Sequence, residues 1–245
     1  MNLHDWLTPT WPAPENVRAC VTTRQGGISL SPYEAFNLGD HVGDDPHAVA
    51  HNRAQLVHAL GCQPAWLSQV HGVQVVEADP GRVHEADGCW SRTPGIACTV
   101  MTADCLPALF CDRAGTRVAA AHAGWRGLAG GVLEATVEAL HVAPEQLLVW
   151  LGPAIGPQAF EVGAEVMEAF VGQHADAAAA FTPSSADGKY LADIYQLARV
   201  RLAAIGIEAV YGGGLCTYTD ARFYSYRRSA VTGRMASLIW LTHSA

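Results

Sequence analysis

The sequence predicts an α+β fold: one domain over residues 1–245, with layers of mixed β-sheet flanked by helices. Strand-like segments come in groups, each rich in β-branched residues and bounded by Gly, Pro or Asp. Helical periodicity appears between and after these groups, which favours α+β over a regular alternation of strand and helix. Half of the residues are apolar, enough to form a single large core.

The predicted strands lie mainly in the first half of the chain. In chain order they fall within residues 18–27, 64–78, 95–112 and 117–124, and the tail returns to strand within 208–218 and over 235–241. His71 lies inside the second of these segments, beside a glycine. The polar run over residues 172–189 predicts a surface loop that is helical in part, at its alanines.

The predicted helices lie between and after these strand groups. Their periodicity is clearest in residues 46–60, 131–140 and 190–206, and residues 162–170 form a shorter candidate. The last long segment ends at Gly206, because glycine commonly stops a helix. We find no internal repeat, heptad run or low-complexity linker in the sequence.

Charge and composition narrow the possible partners. The formal net charge of -8 offers no basic surface, so we expect neither nucleic acid nor an anionic membrane as a partner. No stretch approaches the roughly 20 apolar residues needed to cross a bilayer, and the first residues do not resemble a signal peptide, so we expect a cytoplasmic protein. The seven cysteines include no Cys-x-x-Cys pair, which favours reduced thiols.

A cysteine and a histidine lie at the two ends of a predicted β-hairpin. If its Asp-Arg-Ala-Gly segment forms a tight turn, Cys111 pairs with Thr116 and Cys105 lies opposite His122, with Cβ atoms about 4.5 to 5.5 Å apart. That distance suits two ligands of one metal ion, or a nucleophile and its base. A buried thiol and a hydrogen-bonded core histidine explain the pattern equally well, and His71 as a third candidate favours the metal site.

Several blocks of sequence point to a family. In chain order they are TTRQGGISLSPYEAFNLGDHVGDDP, WLSQVHG, MTADCLPALF, AAHAGWRGL, WLGPAIGPQAFEVG, YLADIYQLAR, FYSYRR and TGRMASLIWL. Together they resemble the YfiH family, whose members are also called laccase-domain or polyphenol-oxidase-like proteins, purine nucleoside phosphorylases and peptidoglycan editing factors. The resemblance covers nearly the whole chain and implies an α/β-layered domain with a complex mixed sheet.

The resemblance also implies a Zn²⁺ site and a chemistry. The ligands carried over by motif are His71 in QVHG, Cys105 in TADC and His122 in HAGWRG. The implied activities are phosphorolysis of adenosine, inosine and methylthioadenosine, and hydrolytic deamination of adenosine. Three ligands leave the fourth position of a zinc tetrahedron open, which is the catalytic pattern. One departure is ADG at residues 86–88, where the family has ADA or similar, and it concerns only the pocket wall.

Purine nucleoside and phosphate, as implied substrates, require binding groups. Arginines usually hold phosphate, and a long loop rich in Gly, Pro and Asp commonly carries binding residues. The candidates are Arg24, Asn37, Arg126, Arg227 and Arg228. His41 lies in the same type of loop, and Trp125 and Tyr226 are candidates for stacking a purine. A structural ion pair or ordinary packing explains each of these residues equally well.

Proton transfer and the alternative mechanisms involve the same region. Asp104, next to Cys105, and Asp87 are candidate proton shuttles, so the predicted catalytic residues are Cys105, His122 and Asp104. A rival hypothesis is a thiol hydrolase that acts on a peptidoglycan precursor, with Cys105 as nucleophile and His122 as base. A phenol oxidase is disfavoured because the sequence has no His-x-His pair. A zinc that serves only the fold or a partner surface is the remaining alternative.

Overall fold

The computed structural model describes residues 6–242 and consists of two mixed β-sheets that pack face to face, with helices on their outer faces. The strands are β1 (Val17–Val21), β2 (Gln63–Ala65), β3 (Leu67–Ser68), β4 (Val75–Glu77), β5 (His84–Glu85), β6 (Gly88–Ser91), β7 (Ile96–Thr102), β8 (Leu106–Asp112), β9 (Val118–Ala123), β10 (Leu147–Leu151), β11 (Glu161–Gly163), β12 (Phe181–Pro183), β13 (Lys189–Ala192), β14 (Val210–Gly212) and β15 (Met235–Leu241). The helices are α1 (Pro46–Leu60), α2 (Trp125–Gly130), α3 (Val132–Leu140), α4 (Ala164–Val171) and α5 (Ile194–Ala204), with 3-10 helices at Pro144–Gln146 and Ala175–Ala180.

The sheets mix parallel and antiparallel strands. One sheet has the order β1-β15-β7-β2, and the other has the order β14-β10-β8-β9-β6-β4. Most neighbours are antiparallel, but β2 pairs with β7, β14 with β10 and β4 with β6 in parallel. Two smaller sheets, β11-β13-β12 and β3-β5, complete the fold. This arrangement confirms the predicted fold class of mixed sheet layers flanked by helices.

Apolar side chains fill the spaces between these layers. Val100 of β7 and Leu109 of β8 are fully buried in the core between the two sheets. Leu133 of α3 and Leu197 of α5 cover the outer face of the six-stranded sheet, and Leu56 of α1 covers the outer face of the four-stranded sheet. The connection from β7 to β8 passes from one sheet to the other, so it lies at their boundary.

Helix α1 has the bounds that its sequence predicts. The Asp45 carboxylate accepts the N–H of His47, and Pro46 occupies the first turn, where its missing N–H costs nothing. Gly61 follows with a φ of 64° and closes the C-terminus through its own N–H. Both ends of α1 could be predicted because each is set by residues next to the helix in the sequence.

The other predicted helices also form, but two start later than predicted: α4 begins at Ala164, after β11, and α5 begins at Ile194. The segment 190–206 becomes helical only at Ile194, because the Asp193 carboxylate accepts the N–H groups of Tyr195 and Gln196. The preceding residues form β13 instead. Helix α2 was not predicted, since its glycines have low helix propensity. None of the helices among residues 6–242 combines the length and apolar character that a bilayer crossing requires.

The β8-β9 hairpin forms with a register that differs from the predicted one. Cys111 pairs with Val118, and Pro107 lies opposite His122. Cys105 precedes β8, so the expectation that it lies directly opposite His122 was wrong. Because the register is shifted by two residues, the alternation of side chains is unchanged, and Cys105 still lies on the side of the hairpin that His122 faces.

The turn explains the shift. The N–H of Asp112 donates to the Arg117 carbonyl, so Thr116 belongs to a longer turn and not to β9. The Asp112 carboxylate accepts the N–H groups of Thr116 and Arg117 at 2.7 and 2.9 Å, as well as the Thr116 hydroxyl. A single aspartate therefore sets the loop length that the sequence pattern could not.

Replacement of Asp112 by alanine should destabilise the fold. The Asp112 side chain is almost fully buried, and its loss leaves several donors without a partner. We expect the free energy of unfolding to fall by about 1 to 3 kcal/mol in urea titrations. Asp187→Ala, at an exposed loop position, is the matched control and should change stability by less than about 0.5 kcal/mol. Equal stability of both variants would contradict this role of Asp112.

Candidate metal centre

His71 lies in a tight bend between β3 and β4, not in the strand that the sequence predicts. Its φ of 61° is left-handed and incompatible with an extended strand. The Asp87 carboxylate holds the bend by accepting the N–H groups of Val70, His71 and Gly72 at 3.2, 2.9 and 2.6 Å. The local pattern of apolar residues did not show this turn, because its stabilising partner lies on another segment.

Cys105 lies in the connection that joins the two sheets. The preceding residue, Asp104, has a φ of 93°, and its carboxylate accepts the Thr217 hydroxyl and the Arg227 N–H, both at 2.6 Å. The Asp104 carbonyl also accepts the N–H of Ile155 at 2.9 Å. These contacts fix the backbone immediately before Cys105 and leave its thiol partly exposed.

His122 projects from β9 and is almost fully buried. Its Nδ1 lies 2.8 Å from Asp87 Oδ1, and its main-chain N–H donates to the Asp87 carbonyl at 2.7 Å. A carboxylate at Nδ1 fixes the ring and leaves Nε2 for a ligand, which is the usual support of a metal-binding histidine. Asp87 therefore holds both His122 and the bend of His71.

The three side chains converge on one point. The candidate ligand atoms of His71, Cys105 and His122 all lie within 4.8 Å of one another, and Cys105 Sγ is 3.7 Å from His71 Nε2. A tetrahedral zinc ion with one sulfur and one nitrogen ligand places these atoms about 3.5 Å apart. The donor set of two imidazoles and one thiol, and its spacing, therefore fit zinc.

Gly124 makes this convergence possible. A Cβ at this position would lie 2.7 Å from His71 Cδ2, closer than real Cβ contacts allow, and 3.0 Å from Cys105 Sγ, tighter than most of them. The expectation that the glycines after His122 permit a close backbone approach is confirmed at this residue.

The electrostatics of the cluster favour a Cys105 thiolate. Burial raises the pKa of Cys105, but the charge of His122 and hydrogen bonds from both histidines outweigh burial and lower it to about 6. Burial lowers the pKa of His122, whereas the Cys105 thiolate and the Asp87 carboxylate raise it to about 9. Burial raises the pKa of Asp87, but the hydrogen bonds from His122 and Gly72 outweigh it and lower that pKa. The thiol is thus already ionised at neutral pH.

The cluster opens into a cavity of about 370 Å³, a size typical of small-molecule sites. Apolar side chains from the six-stranded sheet and its helices form one part of the wall: Trp125, Ile155, Phe160 and Ile194. Residues at the ends of β7 and β15 and in the loops beside them form another part: His41, Gln69, Met101, Thr102 and Arg234. Tyr226, which is 57% exposed, lies at the mouth.

Among the predicted arginine and asparagine contacts, Arg227 alone borders this cavity. Its guanidinium donates to the carbonyls of Ala159 and Glu161 at 3.3 and 3.1 Å, and its N–H holds Asp104. Asp104 also borders the cavity, with both carboxylate oxygens already accepting hydrogen bonds. His41, Trp125 and Tyr226 are at the cavity as the sequence suggested.

Arg24, Asn37 and Arg126 do not border this cavity, and their contacts with substrate stay predictions. Arg24 donates to the Glu34 carbonyl at 3.0 Å, Asn37 is fully buried in a loop, and Arg126 is exposed over the Trp125 ring. Arg228, a further candidate, also lies away from the cavity. Its guanidinium donates to the main-chain carbonyls of Thr217, Tyr218 and Phe223. Sequence position alone did not show which arginines had these partners.

Sequence reasoning missed three polar residues of the cavity: Gln69, Thr102 and Arg234. Gln69 donates to and accepts from the main chain of Met101 at 2.8 and 2.7 Å, and so holds the end of β7. Thr102 and Arg234 lie at the adjacent ends of β7 and β15. A signal for Arg234 was present, since it directly precedes the apolar run of β15 and thus lies where a strand leaves the core.

Comparisons with known proteins agree with this fold. A Pseudomonas aeruginosa protein named purine nucleoside phosphorylase is 68% identical over 240 residues, covering 98% of this chain and 99% of that protein. The Escherichia coli protein named purine nucleoside phosphorylase YfiH is 58% identical over 240 residues, covering 96% of this chain and 98% of its own. Both similarities extend over essentially the whole fold.

Solved structures and a family model complete the comparison. The crystal structure of the Neisseria meningitidis protein NMB0706 superposes with a TM-score of 0.95 at 52% identity, covering 98% of this chain and 100% of that one. YlmD from Geobacillus stearothermophilus gives a TM-score of 0.87 at 30% identity, with coverages of 99% and 98%. The family model described as multi-copper polyphenol oxidoreductase laccase matches residues 18–242. The resemblance to the YfiH proteins is thereby confirmed, and the chain belongs to this laccase-like family.

Proposed function

We propose that the protein is a zinc-dependent purine nucleoside phosphorylase that acts on adenosine, inosine and methylthioadenosine, with adenosine deamination as a second activity. The observation that carries the proposal is the His71, Cys105 and His122 cluster at the wall of a largely apolar cavity. Relatives that cover nearly the whole chain bear the name purine nucleoside phosphorylase, which supports the same reaction class.

Zinc suits the donor set, and this chain's residues prepare it. Cys105 is ionised at neutral pH, and Asp87 fixes the His122 ring with Nε2 available. With three protein ligands and one open position, bound zinc supplies Lewis-acid polarisation or an acidified water. His71, Cys105 and His122 would hold the ion.

Phosphorolysis requires a defined set of contacts. An oxygen of phosphate forms a bond to ribose C1′ while the bond from C1′ to purine N9 breaks, and its electron pair and a proton go to the base. The products are ribose 1-phosphate and the free purine. Trp125, Ile155 and Phe160 give the cavity the apolar surface that buries a purine, and Tyr226 lies where it can cover the ring.

Asp104 acts in this proposal as a positioning residue. The Thr217 hydroxyl and the Arg227 N–H occupy its two oxygens, so the geometry favours support of the Cys105 loop over proton transfer. The catalytic role of Asp104 as proton shuttle stays a prediction. Asp87 is engaged in the same way, by His122 and three main-chain N–H groups.

The phosphate requirement tests the proposed reaction. Purified zinc-loaded protein is incubated with adenosine or inosine, with and without inorganic phosphate, and the products are separated by chromatography. We expect free base and ribose 1-phosphate only when phosphate is present, and no base after metal removal. Release of base at an unchanged rate in a phosphate-free buffer would contradict phosphorolysis and indicate hydrolysis. Ammonia release from adenosine without phosphate reports the deaminase activity separately.

A thiol hydrolase acting on a peptidoglycan precursor is a second candidate function. The observation that favours it is a chain of contacts in space from Cys105 through His122 to Asp87. These three side chains could act as nucleophile, base and orienting carboxylate. His71 argues against it, because a second imidazole beside the same sulfur has no role in that mechanism but serves as a metal ligand.

Multicopper oxidation of phenols, which the family's description suggests, does not fit the donor groups. Within residues 6–242, His71, Cys105 and His122 form the single group of metal-ligating side chains of this kind. Copper sites that transfer four electrons require several such groups in contact, and one group of three ligands holds one ion.

A further inference from the structure

Arg234 brings a positive charge with free donors to the cavity. It is partly buried and borders the cavity together with Cys105 and Asp104. Its Nη1 donates to the carbonyls of Thr232 and Gly233, both at 3.0 Å. Among residues 6–242, no carboxylate lies within 4.0 Å of this guanidinium, and Nε and Nη2 have no hydrogen-bond partner. A partly desolvated guanidinium with open donors is suited to an oxyanion.

The backbone around Arg234 is built to hold this side chain. Asn37 Oδ1 accepts the N–H groups of both Arg234 and Gly39 at 2.9 Å, and Asn37 Nδ2 donates to Asp44 at 2.9 Å. A Cβ on Gly39 would lie 2.8 Å from Arg234 Cγ, so the arginine stem packs directly on the main chain there. Asn37 thus joins the loop that carries His41 to the start of β15. Its burial serves position, not substrate contact.

Thr102 supplies a second polar group at the same cavity. Thr102 is 2% exposed, borders the cavity, and its Oγ1 has no hydrogen-bond partner within the described part of the chain. Thr102 pairs with Met235, the residue after Arg234, so the main chains of Thr102 and Arg234 lie at adjacent strand ends. A buried hydroxyl without a partner is costly in a folded protein unless a ligand satisfies it.

We propose that Arg234 and Thr102, with His41 at the rim, form the subsite for inorganic phosphate. This inference rests on the proposed phosphorylase function and assigns the residues that hold its second substrate. In it the Arg234 guanidinium donates Nε–H and Nη2–H to two phosphate oxygens, and the Thr102 hydroxyl donates to an oxygen of the same ion. The apolar wall of Trp125 and Phe160 is left for the purine.

The test compares Arg234→Met with Arg92→Met in zinc-loaded protein. Methionine keeps an unbranched stem for packing on Gly39 and removes the charge, and Arg92 is exposed and does not border the cavity. We expect Arg234→Met to raise the KM for phosphate at least about tenfold and to change the KM for inosine less than about threefold. Thr102→Val should raise the phosphate KM in the same direction. Arg92→Met should match the unmodified protein.

A binding measurement separates the subsite from the reaction. Inorganic phosphate should raise the melting temperature of the zinc-loaded protein, and this rise should disappear in Arg234→Met. An unchanged phosphate-dependent rise together with an unchanged phosphate KM in that variant would overturn the subsite. If the unmodified protein releases no base with phosphate, the proposed function fails, and the melting experiment still decides whether Arg234 binds the anion. The same scan shows whether Arg234→Met is poorly folded, because its melting temperature without phosphate would then be low. In that case Arg234→Lys is tested instead, and it should bind phosphate more weakly because lysine lacks the paired donors of arginine.

Discussion

His71→Ala is expected to lose bound zinc and turnover together, while keeping the fold. In the proposed site the His71 side chain contributes one of three ligands, and the two that remain are expected to hold zinc much more weakly. Elemental analysis should give about one zinc per chain for the unmodified protein and almost none for the variant, with kcat reduced by at least about 100-fold. His51→Ala, on the exposed face of α1, is the control and should keep both.

Alkylation of Cys105 gives this prediction a second, independent readout. Bound zinc occupies the sulfur lone pair, so Cys105 should resist iodoacetamide in the loaded protein. After chelation the thiol has a pKa of about 6 and is ionised at neutral pH, so labelling should become fast. The peptide that contains Cys105 must be identified by mass spectrometry, because the chain has seven cysteines. Rapid labelling with zinc still bound, or full activity of His71→Ala, would favour the thiol hydrolase.

Asp87→Asn is expected to weaken the centre more than any other change outside the ligands. An amide nitrogen would face either His122 Nδ1 and the N–H of His71, or the N–H groups of Val70 and Gly72, and no rotation of the side chain satisfies both sides. We expect a loss of about 3 kcal/mol in the free energy of unfolding, since charge-assisted bonds to buried donors are removed. Zinc affinity should fall by about 10- to 100-fold, as for other carboxylates that support histidine ligands.

Competition with a zinc indicator measures the affinity, and urea titration of metal-free protein measures the stability. Asp176→Asn, at an exposed position, is the matched control for the change of charge. The stability loss should itself depend on pH. The pKa of Asp87 is lowered in the fold, so its contribution is present above the ordinary carboxyl pKa and disappears as the pH falls through the folded value. Unchanged zinc affinity in Asp87→Asn would show that His122 needs no orienting carboxylate.

The fold was predictable where the determinants are local. Helix α1 could be predicted between its Asp45 cap and Gly61, because cap and stop lie next to the helix they bound. The hairpin register was not predictable in the same way, since the Asp112 carboxylate makes the turn longer than its four-residue motif suggests. The bend at His71 was missed because its support, Asp87, is 16 residues away.

The candidate site was likewise predictable only where its determinants are local in the sequence. The spacing of Cys105 and His122 on one hairpin suggested their proximity, and the family resemblance supplied the ligand roles. The placement of the arginines was not predictable, because it depends on which main-chain carbonyls surround each guanidinium, as Arg24 and Arg227 illustrate. The place of Arg234 at the cavity also depends on the pairing of β7 with β15, a contact between segments more than 100 residues apart.

Gly124 gives a practical criterion for reading other genomes. The main chain at this position is wedged between an imidazole and a thiolate, with 2.7 Å to His71 Cδ2 and 3.0 Å to Cys105 Sγ from any added methyl group. An alanine there would leave the sheets and helices intact and push the two ligands apart. A homologous gene that encodes both histidines and the cysteine, but a larger residue at this one codon, is expected to specify a protein with the same fold and a weakened metal centre.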